Sequence, residues 1–328
     1  MRNILVSCIL LSAVLFAEDA GLYFFGKPEA DFAVYLNTAT LEKKLEPQLY
    51  AQMMAAAKKA RRASKSEAEL PFTIMDRDWE VVANVHLLPG EFTFLADGVA
   101  KTTGGFQKEI ESLARLFEEK ISVTEYELEG VAARRFVLSE NTVKASAQEE
   151  DEEETAVETD KLRSLDLMLT PLQGERFQFN GGCNTPLPLD TLELAKPGEE
   201  NLFVHEDLLL AVYFNIPRLL PLLSNGADNT RVALLRTFLM QLSHMVVSFQ
   251  PDGVDLVLRV RLAFSAEEQA QAMRGPMAQN VKAMMQGMNG FCSFRDVACV
   301  TQGRCCDIFA CVNILEAVQG LQGLMRQK

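Results

Sequence analysis

The residues best suited to chemistry are five cysteines crowded near the C-terminus: Cys292, Cys299, Cys305, Cys306 and Cys311. Thiols can pair, ligate metals or attack electrophiles, and spacing separates these uses. The pattern C-x6-C-x5-C-C-x4-C has no C-x2-C knuckle and no neighbouring His, so it does not match a structural zinc site. With residues 302–303 as a two-residue turn, Cys299 lies opposite Cys306 on adjacent strands. Alternation then puts Cys305 and Cys311 on one face and Cys306 on the other. The spacing predicts at least one disulfide bracing this region, with Cys299–Cys306 the nearest pair and Cys292, Cys305 and Cys311 as further candidates. Buried free thiols are the first alternative, and metal or redox chemistry the second.

Other groupings carry weaker chemistry. Cys183 and His205 would suit a nucleophile and its base, yet nothing in the sequence brings them together. His86, His205 and His244 are far apart, and none has a second His at ligand spacing. Residues 21–27 have the Gly-x4-Gly-Lys spacing of a phosphate-binding loop, but Pro28 stands where the hydroxyl is needed and no strand precedes them, which favours an extended segment. Met277, Val281, Met284, Met285 and Met288 fall at helical spacing. A soft binding stripe and the inner face of an amphipathic helix both fit, and the helix requires less. No nucleophile elbow, H-E-x-x-H or glycine-rich nucleotide loop occurs, so no catalytic, cofactor or metal residue is assigned and the reading leans away from an enzyme.

The strongest basic patch is Lys58, Lys59, Arg61, Arg62 and Lys65. An envelope or extracellular protein, a surface polysaccharide or an anionic lipid surface would suit it. The alternative is the solvated end of a helix that starts near Pro47 and turns Leu49, Met53 and Met54 inward. Nucleic acid is not an expected partner, because phosphate binding needs clustered cations and the chain has a formal charge of −13. Much of that charge sits in residues 149–160, an acidic run without aromatics that reads as a disordered linker.

The compartment follows from the first residues. Met1-Arg2-Asn3, an apolar run over residues 4–16 and the small Ala17 make a secretory signal peptide, with cleavage expected after Ala17. The run is too short to span a bilayer, which takes about 20 apolar residues. Leu5-Val6-Ser7-Cys8 superficially imitates a lipidation box, but the apolar run continues past Cys8. Residues 208–223 are interrupted by Asn215, Pro217, Arg218 and Pro221, so no later membrane span is expected. The product is expected in the periplasm or outside the cell, and not as an integral membrane protein once the signal is removed.

The elements that would position these residues show an internal repeat. Ala33-Val34-Tyr35-Leu36-Asn37 recurs as Ala211-Val212-Tyr213-Phe214-Asn215, each behind a Lys-Pro tract. Both copies continue with Leu-rich helical sequence, a strand pair turning at Pro89-Gly90 or Pro251-Asp252-Gly253, a helix, and a second strand pair. Asn37 and Asn215 are placed to cap the helices that follow, and Ser265-Ala266-Glu267-Glu268 has the form of a capping box. A further hairpin, alternating at Leu165, Leu167 and Leu169 and at Phe177 and Phe179, could extend either sheet.

The expected fold class is therefore α+β: two duplicated repeats, each an antiparallel or mixed sheet packed by helices. The boundaries are a signal peptide over 1–17, a first repeat over 18–144, an acidic linker over 145–161, and a second repeat over 162–328 carrying the extra hairpin and a C-terminal helix. Functionally the expectation is an exported binding or structural protein without catalysis. The alternatives are an extracytoplasmic hydrolase assembled from distant residues and a carrier of a hydrophobic ligand.

Overall fold

The computed structural model describes residues 29–63, 78–90, 93–103, 122–138, 164–195, 207–223, 236–288, 294–314 and 316. The expected signal segment, the acidic run, Lys65, His205 and Cys292 lie outside the described residues. The chain forms two compact units, one from residues 1–56 with 204–328 and the other from 57–203.

The first unit holds β1 (Phe32–Asn37), α1 (Ala39–Lys44), most of α2 (Pro47–Ala63), β8 (Leu210–Asn215), α3 (Ile216–Leu223), β9 (Leu242–Asp252), β10 (Asp255–Phe264), α4 (Glu267–Met288), β11 (Phe294–Gln302) and β12 (Cys305–Asn313). Its strands lie in the order β11-β12-β10-β9-β8-β1. The second unit holds β2 (Trp79–Leu87), β3 (Phe94–Thr102), β4 (Ser122–Leu128), β5 (Val131–Leu138), β6 (Leu165–Pro171) and β7 (Arg176–Cys183). Here the order is β2-β3-β7-β6-β5-β4.

These orders correct the expected α+β class with helices packed on each sheet. Antiparallel strand pairing dominates both units, and the one parallel contact among the described residues is an isolated bridge between Leu45 and Gly253. In the second unit the described elements beyond the last turns of α2 are strands and one 3-10 turn, and in the first unit two of the four described helices are short. β9 and β10 run 11 and 10 residues, whereas α1 and α3 have 6 and 8. At 1.5 Å per residue such helices reach across only two or three strands. The long α4 adds Ala270 and Met277 to the core formed by Met245, Val247, Leu258, Val260, Leu262, Phe264, Cys306, Ile308 and Ala310.

Several local signals act differently from expectation. Asn37 does not cap: α1 starts behind Thr38, without a side-chain cap, and the Asn37 amide instead donates to the Tyr35 hydroxyl at 3.2 Å. At α4 the box is displaced by one residue. Gln269 Oε1 reaches back to the Ala266 N–H at 3.2 Å, while Ser265 Oγ donates to the Gln241 carbonyl. Residues 165–183 form the β6–β7 hairpin inside the second unit, between β3 and β5.

β1 and β8 pair antiparallel with Val34 directly opposite Val212. These are corresponding residues of the two pentapeptides, so the ladder is symmetric about them. Asn37 N donates to the Leu209 carbonyl at 2.8 Å and Asn215 N to the Asp31 carbonyl at 2.9 Å, two bonds that exchange under the same operation.

Candidate functional site

Alternation along β1 and β8 gives each strand two faces. One face carries Ala33, Tyr35, Asn37, Ala211 and Tyr213, all buried. The other carries Phe32, Val34, Leu36, Leu210, Val212 and Phe214, all apolar and all only partly buried. The usual arrangement is reversed: the face that takes the tyrosine hydroxyls and an asparagine is closed, and the wholly apolar face keeps contact with solvent. Phe32 and Phe214 face each other across the seam with ring centroids 6.3 Å apart, and Phe214 leads into the core of the unit. At one end, Arg218 of α3 binds Asp31 at 2.9 Å; Lys44 of α1 forms an ion pair with Asp207 at 2.6 Å.

This seam went unassigned in the sequence. Alternation along the repeated pentapeptides does not say which face stays open, and only the pairing of β1 with β8 joins six apolar side chains into one strip.

The thiols are distributed as follows. The turn of the β11–β12 hairpin is Gly303-Arg304 and not 302–303, because Gln302 pairs with Cys305. Gly303, with φ 54°, leads the turn, the position that favours glycine in a two-residue hairpin turn. Cys306 is consequently opposite Thr301, and Cys299 opposite Ile308. The direct opposition of Cys299 and Cys306 is thereby replaced by a diagonal on one face, and their sulfurs are 3.4 Å apart as free thiols. A hydrogen bond from Cys306 pulls the Cys299 thiol down to about 7, helped by the Arg274 charge and opposed by burial. The same bond, with burial, pushes Cys306 far up. Burial also raises Cys305 and Cys311.

Cys183 is placed away from solvent. It ends β7 in a buried position, its thiol raised by that burial, and it shares the apolar face of Phe177 and Phe179 by alternation. Its suggested partner, His205, is outside the described residues.

The second unit carries a polar row on the opposite face. Asp97 lies directly across from Asn84 and from Asn180. It accepts from Asn84 Nδ2 at 3.2 Å and contacts His86 Nε2 at 3.3 Å. Further along, Arg135 donates Nε and Nη2 to the two oxygens of Asp166 at 2.8 and 2.7 Å. Asp166 also accepts from the Leu187 N–H at 2.9 Å. Gln178 receives the Ala195 N–H and donates to the Glu193 carbonyl. The segment 184–195 is thus tied across β6 and β7 through its own backbone.

Lys58, Lys59, Arg61 and Arg62 fall on the C-terminal turns of α2. Met277 of the methionine stripe is buried and Met273 packs beside it. Among the described residues, no group of three or more His, Cys, Asp or Glu could hold a metal ion. No described helix is long and apolar enough to cross a membrane.

The described site is thus an apolar strip on an antiparallel sheet, with a dithiol hairpin elsewhere in the same unit. No known protein family and no curated protein matches the chain. Among solved structures, crystal form III of TP0453 is similar over 92% of this chain and 98% of its own, with a TM-score of 0.41 and 12% identity. Crystal form I of TP0453 covers 94% and 99%, with a TM-score of 0.40 and 10% identity.

Proposed function

We propose that the chain is an exported binding protein that takes an apolar ligand on the strip where β1 meets β8. The observation that carries this reading is the reversed polarity of the seam: Phe32, Val34, Leu36, Leu210, Val212 and Phe214 keep partial exposure while polar side chains behind them are buried. Contiguous apolar surface left open in a folded protein marks a place where something binds, and covering the remaining exposure of each side chain gains a fraction of the ~1.5–3 kcal/mol that full burial is worth. Export rests on the apolar run and Ala17 at the start of the chain. In the same reading the two halves arose by duplication, and the seam is the join between strands that were once identical. The hydrolase alternative finds no support in Cys183, whose thiol is held neutral by burial.

The test is titration of the purified protein with the uncharged apolar dye Nile red, comparing wild type with Val34→Lys and Val212→Lys. Both positions are partly exposed, so the lysine amine can reach water while its charge interrupts the strip. Each variant should keep the wild-type circular dichroism spectrum and lose affinity by roughly tenfold, about 1.4 kcal/mol. Folded variants that bind the dye as the wild type does would remove the strip from consideration. Ester or peptide hydrolysis that disappears with Cys183→Ala would displace the binding reading altogether.

A further inference from the structure

We propose that Cys299 and Cys306 are a thiol–disulfide exchange pair, Cys299 attacking and Cys306 resolving, whose co-reactant is a small-molecule or protein disulfide. Three observations carry this beyond a static brace. The sulfurs are 3.4 Å apart on one face of the β11–β12 hairpin. An S–S bond is about 2.05 Å long, so the sulfurs have only roughly 1.4 Å further to approach before they can bond. The two thiols are also unequal. Cys306 is fully buried, whereas Cys299 is partly exposed on β11, the strand at the end of the order in its unit. An incoming disulfide therefore meets Cys299 first. The electrostatics agree, because among the described cysteines Cys299 alone is shifted towards the thiolate, and the thiolate is the attacking species.

The exchange balances in two steps. Cys299 as thiolate attacks one sulfur of R–S–S–R, forming Cys299–S–S–R and expelling R–S⁻. Cys306 then gives up its proton and attacks Cys299 Sγ, closing the intramolecular disulfide and expelling the second R–S⁻. Two protein thiols are oxidised by two electrons, and the co-reactant is reduced to two thiols that take up the two protons. The site is separate from the β1–β8 strip, so neither reading depends on the other.

The experiment uses the full-length exported protein, reduced and then mixed with oxidised glutathione. Wild type should lose two hydrogens in mass, with the new bond mapped to Cys299 and Cys306, and should reopen in reduced glutathione. Cys306→Ser should instead hold one glutathione on Cys299. An adduct placed on Cys305 or Cys311 would overturn the assignment, as would a bond that reduced glutathione cannot reopen. Because Cys306 is a core residue, alkylation of the reduced wild type gives an independent reading. Cys299 should label fastest, with half-maximal rate near pH 7, and labelling no faster than that of Cys305 and Cys311 would equally defeat the proposal.

Discussion

Arg261 and Asp307 stand directly opposite each other on β10 and β12, joined by Nε to Oδ1 at 2.9 Å and Nη2 to Oδ2 at 2.8 Å. Their side chains are 5% and 2% exposed. Such a pair contributes little net stability when intact, because desolvation offsets the attraction, but removing one partner strands a buried charge. Asp307→Ala should therefore destabilise the first unit by about 3–5 kcal/mol. Replacing both residues, Arg261→Met with Asp307→Leu, should recover most of that loss. Urea unfolding of the three proteins checks both statements, and a double variant no better than Asp307→Ala would contradict them.

Asp166 has a second duty that makes its loss more local. It holds Arg135 by two bonds and also accepts the backbone N–H of Leu187. Asp166→Ala should cost about 1–3 kcal/mol, because the Leu187 N–H loses its acceptor and Arg135 its two bonds. It should also accelerate hydrogen exchange at the Leu187 amide and along 184–195 ahead of the β6 and β7 amides. Exchange that rises uniformly across the second unit would show that the carboxylate is not what ties this segment down.

Gly98 is required by close approach. A Cβ there would lie 2.0 Å from the Val82 carbonyl oxygen and 2.6 Å from Phe179 Cζ. Gly98 pairs directly with Phe179, so the ring occupies the space a side chain would need. Gly98→Ala should destabilise at the upper end of the ~1–3 kcal/mol range for overpacking. Gly98→Ala with Phe179→Leu should regain part of it, since the ring clash is relieved and the carbonyl clash is not. Thermal melts of both variants decide the matter.

His244 makes the first unit sensitive to acid. Burial lowers its pKa from the ordinary 6.5, and the positive charges of Arg261 and Arg304 lower it further. The folded state therefore binds its proton less readily than the unfolded chain. At pH above 6.5 both states hold a neutral ring and the group contributes nothing to the pH dependence. As pH falls through 6.5 towards the depressed folded value, the unfolded state gains the proton and stability declines. His244→Gln should flatten the stability profile below pH 6.5. A profile unchanged by the substitution would place the titrating group elsewhere.

The strand content was largely legible in the chain. Alternation at Leu165, Leu167 and Leu169 and at Phe177 and Phe179 marked a hairpin, and these residues lie on β6 and β7. The balance between strand and helix was not. Leu-rich tracts after each pentapeptide suggested helices able to cover a sheet, yet the helices directly behind β1 and β8, α1 and α3, have 6 and 8 residues. The hairpin turn illustrates the difficulty of register. Gln302-Gly303 and Gly303-Arg304 are equally acceptable as a composition, and one residue of difference moves Cys299 from opposite Cys306 to a diagonal position. Pairs such as Arg261 with Asp307, separated by 46 residues, or His86 with Asp97, separated by 11, depend on register and strand order together. No local pattern records them.

The β6–β7 hairpin shows how a sheet of this kind can grow. In the first unit β10 pairs straight onto β12, whereas the second unit has β7 and β6 standing between β3 and β5. On the duplication proposed above, two strands enter together and β5 keeps the same direction relative to β3 that β12 has relative to β10. A single added strand would have inverted every strand beyond it and forced each connecting turn to be rebuilt at the opposite end. Parity therefore acts as a filter on insertions: widening in pairs leaves the flanking hairpin β4–β5 and its turn intact, so the sheet can lengthen in steps of one hairpin without any other part of the chain having to adapt.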